Sequence, residues 1–411
     1  MVGMKPRVVI TGIGIVSPLG TGATAFWSSL IAGVSGAERI AVEGLGTITA
    51  YPVTGVDEAA RDLFGHRETR RMDRVGRLAA VAGAMALEDA GTHGVDADRI
   101  GASIGCIHGG AQTLYDAHAT LLKRGADRVS PLTIPLGLTN SAVAAAARVL
   151  EVRGPTSVTG TACAAGSDAI GTGIGLIRDG RADIVLAGGA EAPLSPLVVA
   201  GYRQLGALSV TDRPASEASR PFDLERDGFV MAEGAGVVVL EDRAHALARG
   251  ARIYAEVVGF ASTCDAGHLT DPDPAGEGAA KAICLALADA DIPAGAVGYV
   301  NAHATSTPAG DRAEAQALHS AGLGHAAVSS TKSAHGHALG AAGGIEAIVT
   351  ALSLANHTLP ATLNLITPDP EVPLDHIRTP RAATVEIAIS NSFGFGGHNA
   401  CVVMRAHHPA S

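Results

Sequence analysis

The chain has 411 residues, 47% of them hydrophobic and 17% charged, with a formal net charge of -10. That length supports two fused core units, and the acidic balance argues against a nucleic-acid binder, although a local basic cluster survives any average. The five cysteines (Cys106, Cys163, Cys264, Cys284 and Cys401) are scattered, odd in number and never in a C-x-x-C pair, which sets aside a disulfide framework and fits a reducing cytoplasm.

Residues 1–20 run straight into a strand at Val8-Val9-Ile10 and carry no signal-peptide cleavage pattern. No run of about 18 uninterrupted apolar residues occurs, so no membrane span is expected. Arg67, Arg70, Arg71 and Arg74 form a basic run, open to two readings: a solvated helix face or a dock for an acidic partner. Helical spacing over 77–90 ends at Gly91. A strand follows at 100–104, a helix at 142–150, a short strand at 157–158, a buried strand at 182–187 and another at 237–240. The second half repeats this order, with a strand at 253–260 and a helix at 279–290. Strands at 299–301, 327–330 and 387–390 follow, with helices from about Asp311 and Ala341 between them. The letters repeat too: Ala86-Leu87-x-Asp89-Ala90 returns as Ala286-Leu287-x-Asp289-Ala290. Alternating strands and helices imply an α/β fold with buried, largely parallel sheets. The repeat divides it at 1–250 and 251–411, and no linker separates the two halves.

Thr161-Ala162-Cys163-Ala164-Ala165-Gly166 lies between a strand and a small-residue segment of helical spacing. At a buried helix start, unpaired N–H groups and the helix dipole would lower the Cys163 pKa and supply the thiolate that acyl transfer needs. Taken alone, the motif describes a small buried hydrophobe at least as well. Two later loops add chemistry. Asn301-Ala302-His303-Ala304-Thr305-Ser306-Thr307 leaves a strand end, with Asp311 and Glu314 on the next helix. Ser330-Thr331-Lys332-Ser333-Ala334-His335-Gly336-His337 leaves another, ahead of Glu346. Strand ends are where α/β pockets form. His335, His337, His303 and Asp311 could hold zinc, but Lys332 would set an ammonium beside the ion and no H-E-x-x-H occurs, so no metal is expected.

With these motifs in order, the chain resembles the elongating β-ketoacyl-carrier-protein synthases of dissociated (type II) fatty acid and polyketide systems. The resemblance spans nearly the whole chain. It rests on Val9-Ile10-Thr11-Gly12-Ile13-Gly14, the cysteine motif, Gly188-Gly189-Ala190-Glu191, Arg220-Pro221-Phe222-Asp223, Arg226-Asp227-Gly228-Phe229, both histidine motifs and Asn391-Ser392-Phe393-Gly394-Phe395-Gly396-Gly397-His398-Asn399. It implies a thiolase fold, layered αβαβα with duplicated halves and usually dimeric, and an acyltransferase active on carrier-bound thioesters. It implies a Cys163–His303–His337 triad, with Lys332 organising the site. Glu314 would be the lysine's partner, and Asp311 and Glu346 would support the network. The backbone N–H groups of Cys163 and Phe395 would hold the thioester oxygen. Phe395 would gate the acyl tunnel beside Phe393, and Thr270, Thr305 and Thr307 would contact pantetheine. No cofactor of its own is implied, because the phosphopantetheine arrives on an acyl carrier protein. Arg67, Arg70 and Arg71 would dock that acidic carrier.

The chain departs from the family at the acyl pocket. Where many members read Gly-Ser-Gly-Ile-Gly-Gly, this chain reads Gly105-Cys106-Ile107-His108-Gly109-Gly110. Tyr202 replaces a phenylalanine, Leu132-Thr133 an aromatic pair, and Gly206 an arginine near the entrance. Ile107, His108, Thr133 and Tyr202 would therefore line a tunnel more polar than a saturated chain prefers. This leans toward a polyketide-type synthase of unsaturated or otherwise functionalised chains; housekeeping fatty acid elongation is the alternative. Either a second copy or a cysteine-less chain-length homologue would complete the dimer, with this chain as the catalytic subunit. Among rivals, Gly101-x-Ser103-x-Gly105 matches a hydrolase elbow, but Ser103 lies inside a strand. Gly12-x-Gly14-x-x-Ser17 lacks the third glycine of a dinucleotide loop. A thiolase would need a second late cysteine. A catalytically dead subunit would not keep Cys163, His303, Lys332 and His337.

Overall fold

A computed structural model describes residues 6–408; residues 1–5 of the N-terminal stretch lie outside the described residues. The first half supplies β1 (Val8–Ser17), α1 (Arg74–Ala90), β2 (Ile100–Gly105), α2 (Ser141–Val149), β3 (Thr156–Thr159), α3 (Ala165–Arg178), β4 (Ile184–Glu191) and β5 (Gly234–Asp242). The second half supplies β6 (Ala255–Cys264), α4 (Glu277–Asp289), β7 (Val297–Asn301), α5 (Pro308–Ser320), β8 (Ala327–Ser329), α6 (Ala342–Asn356), β9 (Ile387–Gly394) and β10 (His398–Ala406).

Spatial order in the first half is β3-β2-β4-β5-β1; in the second it is β8-β7-β9-β10-β6. The two orders are the same, element for element. The halves meet where β1 pairs antiparallel with β6 over Val8 to Ile10. The expected parallel character holds among β3, β2 and β4, and among β8, β7 and β9. The last strand of each half, β5 or β10, runs antiparallel to both neighbours. An antiparallel partner needs no crossover helix, which is why no helix of the repeated set intervenes before it.

The sequence echo has a packing cause. A Cβ on Gly12 of β1 would strike the carbonyl of Ala86, and one on Gly259 of β6 would strike that of Ala286. Each helix therefore lies directly on a glycine of its own strand. Asp89 then accepts the N–H of Ile13 at 2.8 Å, and Asp289 that of Phe260 at 3.3 Å. Helix α1 opens on Asp73, whose carboxylate accepts from Val75, and closes on Gly91 at φ 60, the left-handed position that suits glycine.

Helices α3 and α6 form the central layer. All residues of α6 from Ala342 to Leu354 are buried, and the helix contacts strands of both halves, among them β5 and β9. With α1 and α2 outside one sheet and α4 and α5 outside the other, the layers run αβαβα. Leu339–Asn356, with a mean hydropathy of 1.3 over 18 residues, is the one helical segment among the described residues long and apolar enough to cross a membrane. It is the core helix of these layers, 89% buried in protein.

Candidate active site

Strand β3 ends just before a single tight turn, Ala162–Ala164, that leads into α3. Ala162 sits at φ 47, a left-handed conformation that costs a residue with a Cβ about 1 kcal/mol or more. Cys163 thus stands in the turn before the helix, not in its first turn. Its Sγ lies 3.1 Å from His337 Nε2. A Cβ on Gly394 would come within 2.8 Å of the Cys163 nitrogen, so only glycine lets the β9 end lie against the nucleophile. Phe395, the next residue, donates its backbone N–H toward the sulfur.

Burial pushes the Cys163 thiol up to about 12, against the pull of the Lys332 charge and the Phe395 N–H. This reverses the direction expected from a helix start, because desolvation of a fully enclosed sulfur outweighs the partial charge of the turn. His337 and His303 are held well below their ordinary value, first by burial and then by the Lys332 ammonium. The resting pair is therefore thiol and neutral imidazole. The rings of His303 and His337 meet edge to face at 5.3 Å. Both Nδ1 atoms are buried without a hydrogen-bond partner among the described residues. No neighbour fixes the tautomer there, so each Nε2 is free to take a proton or to offer one.

Lys332 pairs with Glu346, both side chains fully buried. This corrects the expectation that Glu314 is the lysine's partner. Glu314 instead accepts from the backbone N–H groups of His303 at 2.9 Å and Ala304 at 2.6 Å, and from Asn391 Nδ2 at 3.1 Å. It braces the His303 loop. Asp311 accepts from Phe222 N at 2.8 Å and Ser306 N at 3.1 Å, and lies 3.3 Å from Arg226 Nε. It holds Ser306 at φ 78, and the flanking Thr305 and Thr307 hydroxyls stand 3.1 Å apart. Burial pushes both Asp311 and Glu346 up to about 7.

The zinc set considered from sequence does not assemble. His335 turns to the Thr331 hydroxyl at 3.0 Å and the Gly336 carbonyl at 2.9 Å, and Asp311 faces Arg226. The donor atoms that do gather, within 4.8 Å of one another, are those of Cys163, His303 and His337. The nearby Lys332 charge opposes a cation at that point.

These groups open on a cavity of about 100 Å³ that is also lined by Thr270, Thr305 and Thr307. Phe393, Phe395 and Tyr202 also line it. Three expected pocket residues do not. Ile107 packs in the apolar cluster around Cys163. His108 meets Tyr202 at 5.9 Å between ring centroids and does not reach the cavity itself. Thr133 is buried at the start of a separate short helix, Thr133–Gly137. Of the expected acyl-pocket residues, Tyr202 lines the cavity. Phe229 is a site residue that sequence reasoning missed, although it ends the Arg226-Asp227-Gly228-Phe229 motif. Its ring stands 5.3 Å from His337 and 5.6 Å from Tyr202; an aromatic in a chain with 3% aromatics was the signal. Arg67, Arg70 and Arg71 are exposed. Arg74 leaves that run, turning inward to Glu233 at 2.7 Å and the Val53 carbonyl at 2.6 Å.

A duplicated α/β body with a buried thiol facing two neutral histidines defines a thiolase-fold acyltransferase. The comparisons agree. Residues 5–246 match the family model described as Beta-ketoacyl synthase, N-terminal domain, and residues 254–366 match its C-terminal domain. The chain is 43% identical to 3-oxoacyl-[acyl-carrier-protein] synthase 2 of Synechocystis sp., over 98% of this chain and 99% of that protein. It is 42% identical to the protein of that name from Staphylococcus aureus, over 97% and 98%. Among solved structures, a β-ketoacyl synthase from Burkholderia phymatum superposes with a TM-score of 0.91 at 37% identity, covering 98% of this chain and all of that one. The ishigamide ketosynthase/chain length factor gives 0.92 at 34%, with the same coverage. A type II polyketide ketosynthase solved with its acyl-carrier protein and a hexaketide gives 0.90, also at 34% and the same coverage. The chain belongs to the β-ketoacyl synthase family, and it is a ketosynthase.

Proposed function

We propose that this chain lengthens an acyl chain held on Cys163, using malonyl-acyl-carrier protein as the two-carbon donor. First, the Cys163 sulfur attacks the carrier thioester; the carrier thiol leaves and takes up the proton that Cys163 gives to His337. Second, malonyl-carrier loses CO2, and the enolate's carbon bonds to the acyl carbonyl as the Cys163 sulfur departs. The N–H groups of Cys163 and Phe395 suit the oxygen that gains charge in each step. Neutral His303 and His337 suit the enolate oxygen. Thr270, Thr305 and Thr307 would hold the pantetheine arm, and Phe395 would gate the tunnel. The observation that carries this reading is the 3.1 Å contact between Cys163 Sγ and His337 Nε2 beside a second neutral histidine.

Full-length identity to 3-oxoacyl-carrier synthases of the second type favours fatty acid elongation. A specialised, functionalised chain is the second reading, favoured by Tyr202 on the cavity wall and by His108 against its ring. The acidic carrier would dock at Arg67, Arg70 and Arg71, in the cytoplasm. A second copy or a chain-length homologue would complete a dimer. Mass spectrometry after mixing with an acyl-carrier tests the core claim. An acyl adduct on Cys163, discharged by malonyl-carrier with release of CO2, is expected; no adduct under conditions that load a control synthase rules it out. Charge reversal of the three arginines should slow loading from the carrier about tenfold or more but leave small thioesters unaffected. Equal slowing of both removes the docking assignment.

A further inference from the structure

His335 is fully buried, stands two residues before His337, and has no part in the proposed chemistry. It closes a single helical turn, Lys332–His335, that follows β8 and carries Lys332 at its other end. Gly336 comes next at φ 73, where a Cβ would stand 2.3 Å from the Tyr51 ring; both the conformation and the space require glycine. The turn is tied along its length. The Ser219 hydroxyl donates to the Lys332 carbonyl at 3.0 Å, the Tyr51 hydroxyl to that of Ser333 at 2.9 Å, and the Gly36 N–H to that of Ala334 at 3.0 Å. The Gly336 carbonyl lies 2.9 Å from His335 Nδ1. A carbonyl only accepts, so Nδ1 carries the ring hydrogen. The ring is neutral, because burial and then the Lys332 charge push it down to about 3. Nε2 therefore keeps its lone pair and accepts from the Thr331 hydroxyl at 3.0 Å. Both nitrogens are satisfied and the tautomer is fixed, unlike those of His303 and His337.

The Gly336 carbonyl belongs to the peptide whose nitrogen is that of His337. That N–H donates to the Val230 carbonyl at 2.9 Å, and the His337 carbonyl accepts from the Ala232 N–H at 3.0 Å. With His335 on its carbonyl, the peptide is held from both sides. We infer that His335 is a positioning residue: its Nδ1–H, through the Gly336 carbonyl, fixes the peptide plane from which His337 reaches the Cys163 sulfur. This deepens the proposed ketosynthase chemistry and rests on it. Without that donor a buried carbonyl is left unpaired, and the peptide turns to find another partner. His337 Nε2 stands 3.1 Å from the sulfur, and a misplacement of about 1 Å in a reacting group costs on the order of a hundredfold in rate.

Two uncharged substitutions separate the ring nitrogens. His335→Asn sets an amide nitrogen where Nδ1 stands and restores the donor to Gly336. His335→Gln sets its amide where Nε2 stands, toward Thr331, and leaves the carbonyl without a donor. The readout is acyl loading of Cys163 in the full chain, from carriers bearing saturated and unsaturated chains. His335→Gln should lower kcat about tenfold or more with KM for the carrier unchanged, and His335→Asn should recover most of the loss. Thermal melting confirms that each variant is folded. Histidine nitrogen NMR of the wild-type chain tests the same assignment without any variant. His335 should show a protonated Nδ1 and a bare Nε2, still neutral where ordinary histidines are charged. The inference fails if His335→Asn loses as much as His335→Gln, if KM rises while kcat holds, or if Nε2 carries the hydrogen. Normal loading in both variants overturns this inference alone; no loading of the wild-type chain from any carrier overturns the ketosynthase reading with it.

Discussion

Lys332 carries its charge into a place with no exposed surface, where Glu346 is the carboxylate it pairs with. Removing one member of a buried pair strands the other, which costs about 3–5 kcal/mol, whereas replacing both with apolar groups is often neutral or better. Lys332→Met should therefore lower unfolding free energy by about that amount, and adding Glu346→Leu should recover most of it; denaturant titration of both reads the difference. The same ammonium also acts on catalysis. Burial and Lys332 together hold His303 and His337 well below 6.5. Both rings are then neutral from about pH 8 down past their ordinary value of 6.5, and protonate only in more acid solution. Release of CO2 from malonyl-carrier should stay level across that range and fall only below it. Lys332→Met removes one of the lowering causes, so the acid limb must move to higher pH. Imidazole titration by NMR in wild type and variant checks the direction; a limb that stays put means the Lys332 charge does not set it.

The two central helices meet where neither can carry a side chain. A Cβ on Gly166 of α3 would come within 2.7 Å of the Gly344 nitrogen of α6. Gly343 faces Ser167 as closely, with its own added Cβ in collision with the Ser167 nitrogen. Gly175, on the same helix as Gly166, has open space where a Cβ would go. Gly343→Ala should thus destabilise by about 1–3 kcal/mol through overpacking, while Gly175→Ala should stabilise by about 0.5–1 kcal/mol through helix propensity. Melting curves that shift both variants the same way would contradict the close-approach account. Helix α3 could be read from sequence despite its glycines, because apolar spacing and small size are both visible in letters. Its start could not. Thr161 to Cys163 reads as a strand running into a helix, but tertiary contact with Gly394 and Leu339 bends it into a turn with Ala162 left-handed. Leu339 holds the matching post before α6, at φ 48 beside Ala162 at φ 47.

At the scale of the whole chain, what sequence revealed was the repeat, and what it concealed was anything set by desolvation or by a second chain. The echo of Ala86 to Ala90 in Ala286 to Ala290 is local packing on Gly12 and Gly259, so letters preserve it. The Cys163 thiol and the Lys332 partner depend on what encloses them, which spacing does not record. Thr133 marks the other limit. It lies away from its own cavity, in a region whose exposed side is unusually apolar: Leu122 is 73% exposed, Ile134 63% and Leu138 50%. That region adjoins the His108 loop, since a Cβ on Gly109 would touch the Leu138 carbonyl at 2.6 Å. Beside it, β3 ends the sheet with one edge unpaired. An apolar face next to an open strand edge invites a partner, and a second copy of this chain presents the same pair of features. The wild-type chain should sediment as a dimer, or as a heterodimer when a chain-length homologue is present. Leu122→Glu combined with Ile134→Glu places two charges on each copy's face and should give a folded monomer by sedimentation, with far-UV circular dichroism unchanged. If the variant remains dimeric, the subunits meet elsewhere and the apolar face is left without its assigned occupant.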